Sequence, residues 1–265
     1  MSESATGFRR WQQDPRPIPE LIDAAMAETG LDEIPEDYTL AIVVLHVRGT
    51  REVLDAAVAL CASDDAKRRV LGAQILGELG TPDRTFPEEC RTALFDLLRR
   101  ERETTVLAAA AFALGHRGKP CDAPELIALR KHPSDVIRHG VAFALQGATS
   151  PTGVQVLLEL MEDRYELARD WATTSIGGTV ALDGPEIRAA LLRRAEDTDE
   201  YTRAEALHGL ARRRDNRVVP YLQAELSLNR ENTYLFEDAA KAYLGIDEDR
   251  EIDREALISR LDGRS

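Results

Sequence analysis

Lysine is scarce in this chain of 265 residues, with four in all, at positions 67, 119, 131 and 241. The formal net charge is −13. Tracking a nucleic-acid backbone requires a surplus of cations to displace counterions. The charge balance therefore speaks against nucleic acid as a partner, and equally against an anionic membrane surface. Aromatic residues make up only 5% of the chain. Cysteine occurs three times, as Cys61, Cys90 and Cys121, with no short spacing. An odd, dispersed set is neither a disulfide framework nor a zinc knuckle. It suits free thiols in a reducing compartment, and the expected localisation is cytoplasmic. Long hydrophobic runs are missing too. Runs such as Leu40 to Leu45 are far too short to cross a bilayer. The opening residues "MSESATGFRRWQQDPRP" have no apolar core, so no signal peptide is expected.

What the chain does contain is alanine, leucine and charge: 43% of residues are apolar and 31% charged. Ala and straight-chain side chains lose little freedom in a helix, so the mixture favours helix. One line is written three times at a step of 31 residues: "LAAAAFALGH", "RHGVAFALQG" and "RDWATTSIGG". Taking one leucine-like position as the anchor gives Leu45, Leu76, Leu114, Leu145, Ile176, Leu210 and Leu244, with steps of 31, 38, 31, 31, 34 and 34. Four residues before each anchor stands a small or short apolar residue: Ala41, Gly72, Ala110, Val141, Ala172, Ala206 or Ala240. Seven before it stands Arg69, Arg138, Arg169 or Arg203 in four repeats. Spacings of 4, 7 and 8 mark one face of a helix. A second amphipathic stretch precedes each anchor helix, as at 50–63, 87–100, 151–163 and 185–197, and Gly- and Pro-containing breakers separate the stretches. One such pair cannot bury its apolar face alone, whereas stacked pairs build a continuous core.

"DDAKRRVLGAQILGELG" and "SDVIRHGVAFALQGATSP" resemble the short HEAT-like repeats first noted in bilin lyases. The resemblance covers roughly residues 18–247. It implies an all-α, right-handed solenoid of about seven helix pairs, with the second helix of each pair on the concave face. The expected organisation is a flexible tail over 1–17 and a single solenoid over 18–265, closed by a capping helix over 250–263. Such solenoids serve as scaffolds, adaptors, inhibitors, immunity proteins and a few enzymes, so the resemblance specifies architecture and not activity.

The candidate site lies where the chain departs from its own repeat. Two residues before the anchor the family carries polar side chains, yet here stand Phe112 and Phe143, with Thr174 and His208 in the following repeats. The two phenylalanines either join the core or form an apolar patch for a partner. Five before the anchor, where small buried residues are the rule, stand Trp171 and Glu205. Trp171 is expected to fill room left by Gly140, and Glu205 to mark a twist that brings this face into water. Asp170 precedes the tryptophan. Asp135–Arg138, Glu166–Arg169 and Glu200–Arg203 form i,i+3 pairs in first helical turns. They either build a structural ladder, within or between repeats, or offer an arginine row to a ligand. Ser134 is placed as an N-cap. The histidines are spaced for groove lining and not for a metal site. No nucleophile elbow, phosphate loop or zinc-protease signature is present.

The leading expectation is a non-enzymatic scaffold or adaptor that binds a basic protein partner, as an inhibitor or immunity protein would. Its contact residues are Phe112, Phe143, Asp170, Trp171, Thr174, Glu205 and His208, with no cofactor and no metal. The alternative is an enzyme or enzyme subunit of bilin-lyase-like or DNA-glycosylase-like type, acting on a chromophore or nucleobase.

Overall fold

The computed structural model describes residues 11–28, 40–118, 122–228, 232–247 and 249–263. Among these residues there is no strand. The chain divides into two compact units, residues 1–119 and 120–265. The first unit holds three helix pairs: α1 (Ile18–Glu28) with α2 (Ala41–Arg48), α3 (Arg51–Cys61) with α4 (Ala66–Glu78), and α5 (Pro87–Arg100) with α6 (Thr104–His116). The second holds four pairs and a last helix. These are α7 (Pro124–Ile127, extended by a 3₁₀ turn) with α8 (Asp135–Ala144), α9 (Pro151–Leu160) with α10 (Glu166–Thr174), α11 (Pro185–Arg194) with α12 (Glu200–Arg212), α13 (Val219–Ser227) with α14 (Thr233–Leu244), and α15 (Arg254–Asp262). Within the second unit α8, α10, α12 and α14 pack side by side in chain order; in the first, α2, α4 and α6 do the same. The fold is an all-α solenoid of stacked helix pairs. Residues 1–10 and 29–39 and Cys121 lie outside the described residues. The part of the expected tail that is described, 11–17, is tied down: the Arg48 guanidinium donates to the carbonyls of Asp14 and Arg16.

The anchors form the core. Leu45, Leu76, Leu114, Leu145, Ile176 and Leu210 are fully buried, and so are the small residues four positions earlier. Leu244 is only half-buried. Small side chains on this face let neighbouring helices approach. The closest approach is between Gly177 and Gly209: a Cβ on Gly209 would come within 2.6 Å of the Gly177 Cα. Leu145→Ala should cost about 2–5 kcal/mol, read as a lower midpoint in urea unfolding. An unchanged midpoint would show that the anchor register is misassigned.

The arginine row is structural, and its partners lie in the next repeat. Arg138 bonds Asp163 through two donors at 2.6 and 2.8 Å, and donates to the carbonyls of His132 and Pro133. Arg169 bonds Asp197 at 3.0 Å through two donors and caps the carbonyls of Asp163 and Arg164. Arg69 repeats the pattern with Glu101, and Arg203 with Glu225. Each guanidinium thus closes the link before its own helix and clamps the link or helix of the next pair. Of the three i,i+3 pairs read from sequence, Asp135–Arg138 forms an ion pair, at 2.6 Å. Ser134 stands at the N-cap without a side-chain cap bond; its N–H donates to His132 Nδ1.

Two irregularities shape the surfaces that matter. The 38-residue step is absorbed by the loop 80–86, where Arg84 and Phe86 adopt positive φ. That loop is held by Gly80 N–H donating to the His46 carbonyl (2.7 Å) and Thr85 Oγ1 to the Gly49 carbonyl (2.9 Å). The second is a π-helical turn, Ser175–Thr179, directly after α10. Around it Thr173, Ser175 and Thr179 turn their hydroxyls back to the carbonyl four residues earlier, a habit that bends helices.

Candidate functional site

Six of the seven residues singled out from the sequence fall in the second unit, on α8, α10 and α12. Phe112 falls in the first. They therefore make two separate sets.

In the second unit α8 and α10 bring three rings together. The Trp171 ring lies 4.8 Å from the Phe143 ring, edge to face, and stacks on His139 with centroids 6.3 Å apart. His139 also meets Tyr165 edge-on at 6.2 Å. Trp171 therefore rests on side chains of the preceding second helix, the helix that carries Gly140. Phe143 and Trp171 are half-buried, neither core nor free surface. Thr174 on α10 and His208 on α12 are also half-buried.

One residue before Trp171 is a carboxylate in an unfavourable place, turned toward the following repeat. Asp170 Oδ1 is buried and has no hydrogen-bond partner within the protein. Burial pushes the Asp170 carboxyl up to about 6, and the neighbouring carboxylates Asp199, Glu205 and Asp197 push in the same direction. Glu205 was expected to face water. It is half-buried instead, and burial raises its carboxyl above the usual range. The nearby arginine Arg169 is committed to Asp197. The set thus combines an aromatic cluster with two carboxyls, Asp170 and Glu205, that burial raises.

In the first unit Phe112 lines a cavity of about 330 Å³. α2 contributes Ile42 and His46, and α4 contributes Gln74 and Glu78. α6 contributes Ala109, Phe112, Ala113 and His116. His46 Nε2 donates to the Gln74 carbonyl at 3.2 Å, and burial pushes the imidazole down to about 4, so the ring is neutral at neutral pH. The Glu78 carboxylate binds His116 Nδ1 at 2.7 Å, accepts from Thr81 Oγ1 at 2.8 Å and pairs with Arg84. Burial raises the Glu78 carboxyl, but the hydrogen bonds from Arg84 and Thr81 outweigh it and hold the group below its ordinary value. This cluster was not found from the sequence: the three ionisable groups come from three repeats, and Arg84 from the irregular loop. Among the described residues no group of three or more His, Cys, Asp or Glu could hold a metal ion.

A family model for HEAT repeats matches residues 91–177. Protein YibA of Escherichia coli (strain K12) is 27% identical over 196 residues, covering 70% of this chain and 68% of YibA. The X-ray structure of YibA superposes with a TM-score of 0.69 at 22% identity, covering 99% of this chain and 97% of that one. An archaeal HEAT-like repeats protein from Thermococcus onnurineus NA1 superposes with a TM-score of 0.53 at 17% identity, covering 93% and 100%. The complex of CpcE and CpcF of phycocyanin lyase from Nostoc sp. PCC7120 reaches a TM-score of 0.48 at 19% identity over 94% and 96%, too distant to carry an argument about chemistry. These likenesses agree on HEAT-like helical repeats.

Proposed function

We propose that the chain is a non-enzymatic, cytoplasmic protein-binding module, and that the second-helix face of residues 120–265 takes a basic partner. One observation carries the reading: Asp170 Oδ1 is buried without a partner, among other carboxylates. A buried charge is costly unless it is paired. A guanidinium or ammonium group arriving from a partner would pair it. The net charge of −13 would speed the encounter with a basic protein. Buried free thiols at Cys61 and Cys90 suit a reducing compartment.

Trp11 and Trp171 are the only tryptophans, so indole fluorescence reports on this face with one background signal. Titration with a short peptide carrying alternating glycine and arginine should change the fluorescence saturably and more weakly at high salt. Trp171→Phe should remove the change. The same response to a glycine–glutamate peptide, or none to the arginine peptide at millimolar concentration, would overturn the reading.

A further inference from the structure

The cavity in the first unit plays no part in that reading. We propose that it is a binding site for a small, neutral, flat heteroaromatic group that carries an N–H donor.

The size comes first. A volume near 330 Å³ lies at the low end of small-molecule pockets, room for one or two fused rings. The space exists because α6 places alanine at 109 and 113 where longer side chains would close it. Phe112, on the same helix face, supplies a ring against which a planar group can pack.

Charge comes second. The one carboxylate in the lining, Glu78, is matched by Arg84, with His116 also bonded to it. With Glu78 already paired, an entering cation gains little there, and an entering anion would meet the carboxylate, so the site favours a neutral group.

The polar edge comes third. Because Nε2 of the neutral His46 donates to the Gln74 carbonyl, Nδ1 is left as an acceptor. A carboxylate offers about four lone-pair directions, and Glu78 Oε1 can take a donor besides His116. Two acceptors beside an aromatic wall call for N–H on the edge of a ring. Arg84, Thr81 and the 80–86 loop hold Glu78 in place, so the site is built before anything enters it.

The test uses adenine and indole as probes, with benzoate and cyclohexanol as controls, on the full chain. The readout is the ring resonances of His46 and His116 in two-dimensional NMR. Adenine and indole should shift both histidines with dissociation constants on the order of 1 mM or tighter, and benzoate and cyclohexanol should not. Ala109→Leu fills the cavity from a half-buried position and should weaken both probes at least tenfold with an unchanged melting temperature. Phe112→Leu keeps an apolar wall but removes the ring, and should weaken both several-fold; it serves as the test if the leucine at 109 prevents folding. An equal response to cyclohexanol, no response to either heterocycle, or full binding by a folded variant would overturn the proposal. None of these outcomes bears on the arginine-peptide titration, which probes the other unit.

Discussion

Asp163→Ala is expected to lower stability by about 3–5 kcal/mol, the usual cost of leaving one half of a buried ion pair behind. Asp163 and Arg138 each have only 8% of their side chain exposed, and two hydrogen bonds join them. The same carboxylate accepts the Tyr165 N–H at 2.9 Å and so also orders the start of α10. Removing it strands a guanidinium whose remaining partners are two backbone carbonyls and the more exposed Asp135. Urea unfolding followed by circular dichroism reads the loss. Replacing both partners, Arg138→Met with Asp163→Leu, should recover most of it, because the desolvation penalty leaves with the pair. A loss below about 1 kcal/mol for Asp163→Ala, the level of an exposed pair, would show that the clamp is screened by water.

Asp170→Asn has the opposite sign. The carboxyl titrates near 6 in the folded protein, against an ordinary value near 3.8. Between those values the folded state holds a proton that the unfolded state has released. Stability therefore falls as pH rises through this window, and the penalty is complete above it. Asparagine carries no charge to bury. The variant should be more stable than the parent by about 1–3 kcal/mol at pH 7.5, after allowance for partial exposure, and no different below pH 4. The same change should weaken the arginine peptide at least tenfold. A residue that lowers stability and raises affinity for a cation is kept for binding, since a purely structural side chain would move both measurements the same way. Asp170→Asn that destabilises at pH 7.5 would mean that the carboxylate is satisfied after all.

The repeat was legible because its signal is local. Anchors such as Leu114 and Leu145, the small residue four before each, and the breakers between helices all lie within one turn or one link of each other, so periodicity alone places them. The arginines seven before the anchor were legible for the same reason, but their partners were not. Asp163 follows Arg138 by 25 residues, Asp197 follows Arg169 by 28, and Glu101 follows Arg69 by 32. Link length varies, and no fixed spacing points across it. Arg117 and Arg213 escaped entirely. Both stand three residues after their anchors, buried or nearly so, and donate to carbonyls at the end of the previous second helix, among them Leu76 and Leu79 for Arg117 and Ile176 and Val180 for Arg213. An arginine just past a helix end reads in sequence as a solvated link.

The candidate sites were legible only as departures from the repeat. Phe143, Trp171 and Glu205 stood out as wrong-sized or wrongly charged for their rows, and the structure places an aromatic contact and a raised carboxyl there. The expectation for Glu205 failed because charge suggested exposure, whereas the residue is half-buried on α12. The His46, Glu78 and His116 cluster was not assembled from the sequence, although Glu78 and His116 each stand two residues after their anchors and His46 one after, because the three are of unlike residue type and come from three repeats. The one available hint was the 38-residue step, whose extra length supplies Arg84.

The most direct test is the pKa of Asp170 itself, followed by carboxyl carbon NMR with and without the glycine–arginine peptide. The free protein should titrate near 6, and saturating peptide should bring the value down toward or below 4, because a paired cation favours the charged form. An Asp170 that titrates at its ordinary value in the free protein, or one that stays near 6 with peptide bound, would contradict the claim that this carboxylate receives a partner's positive charge.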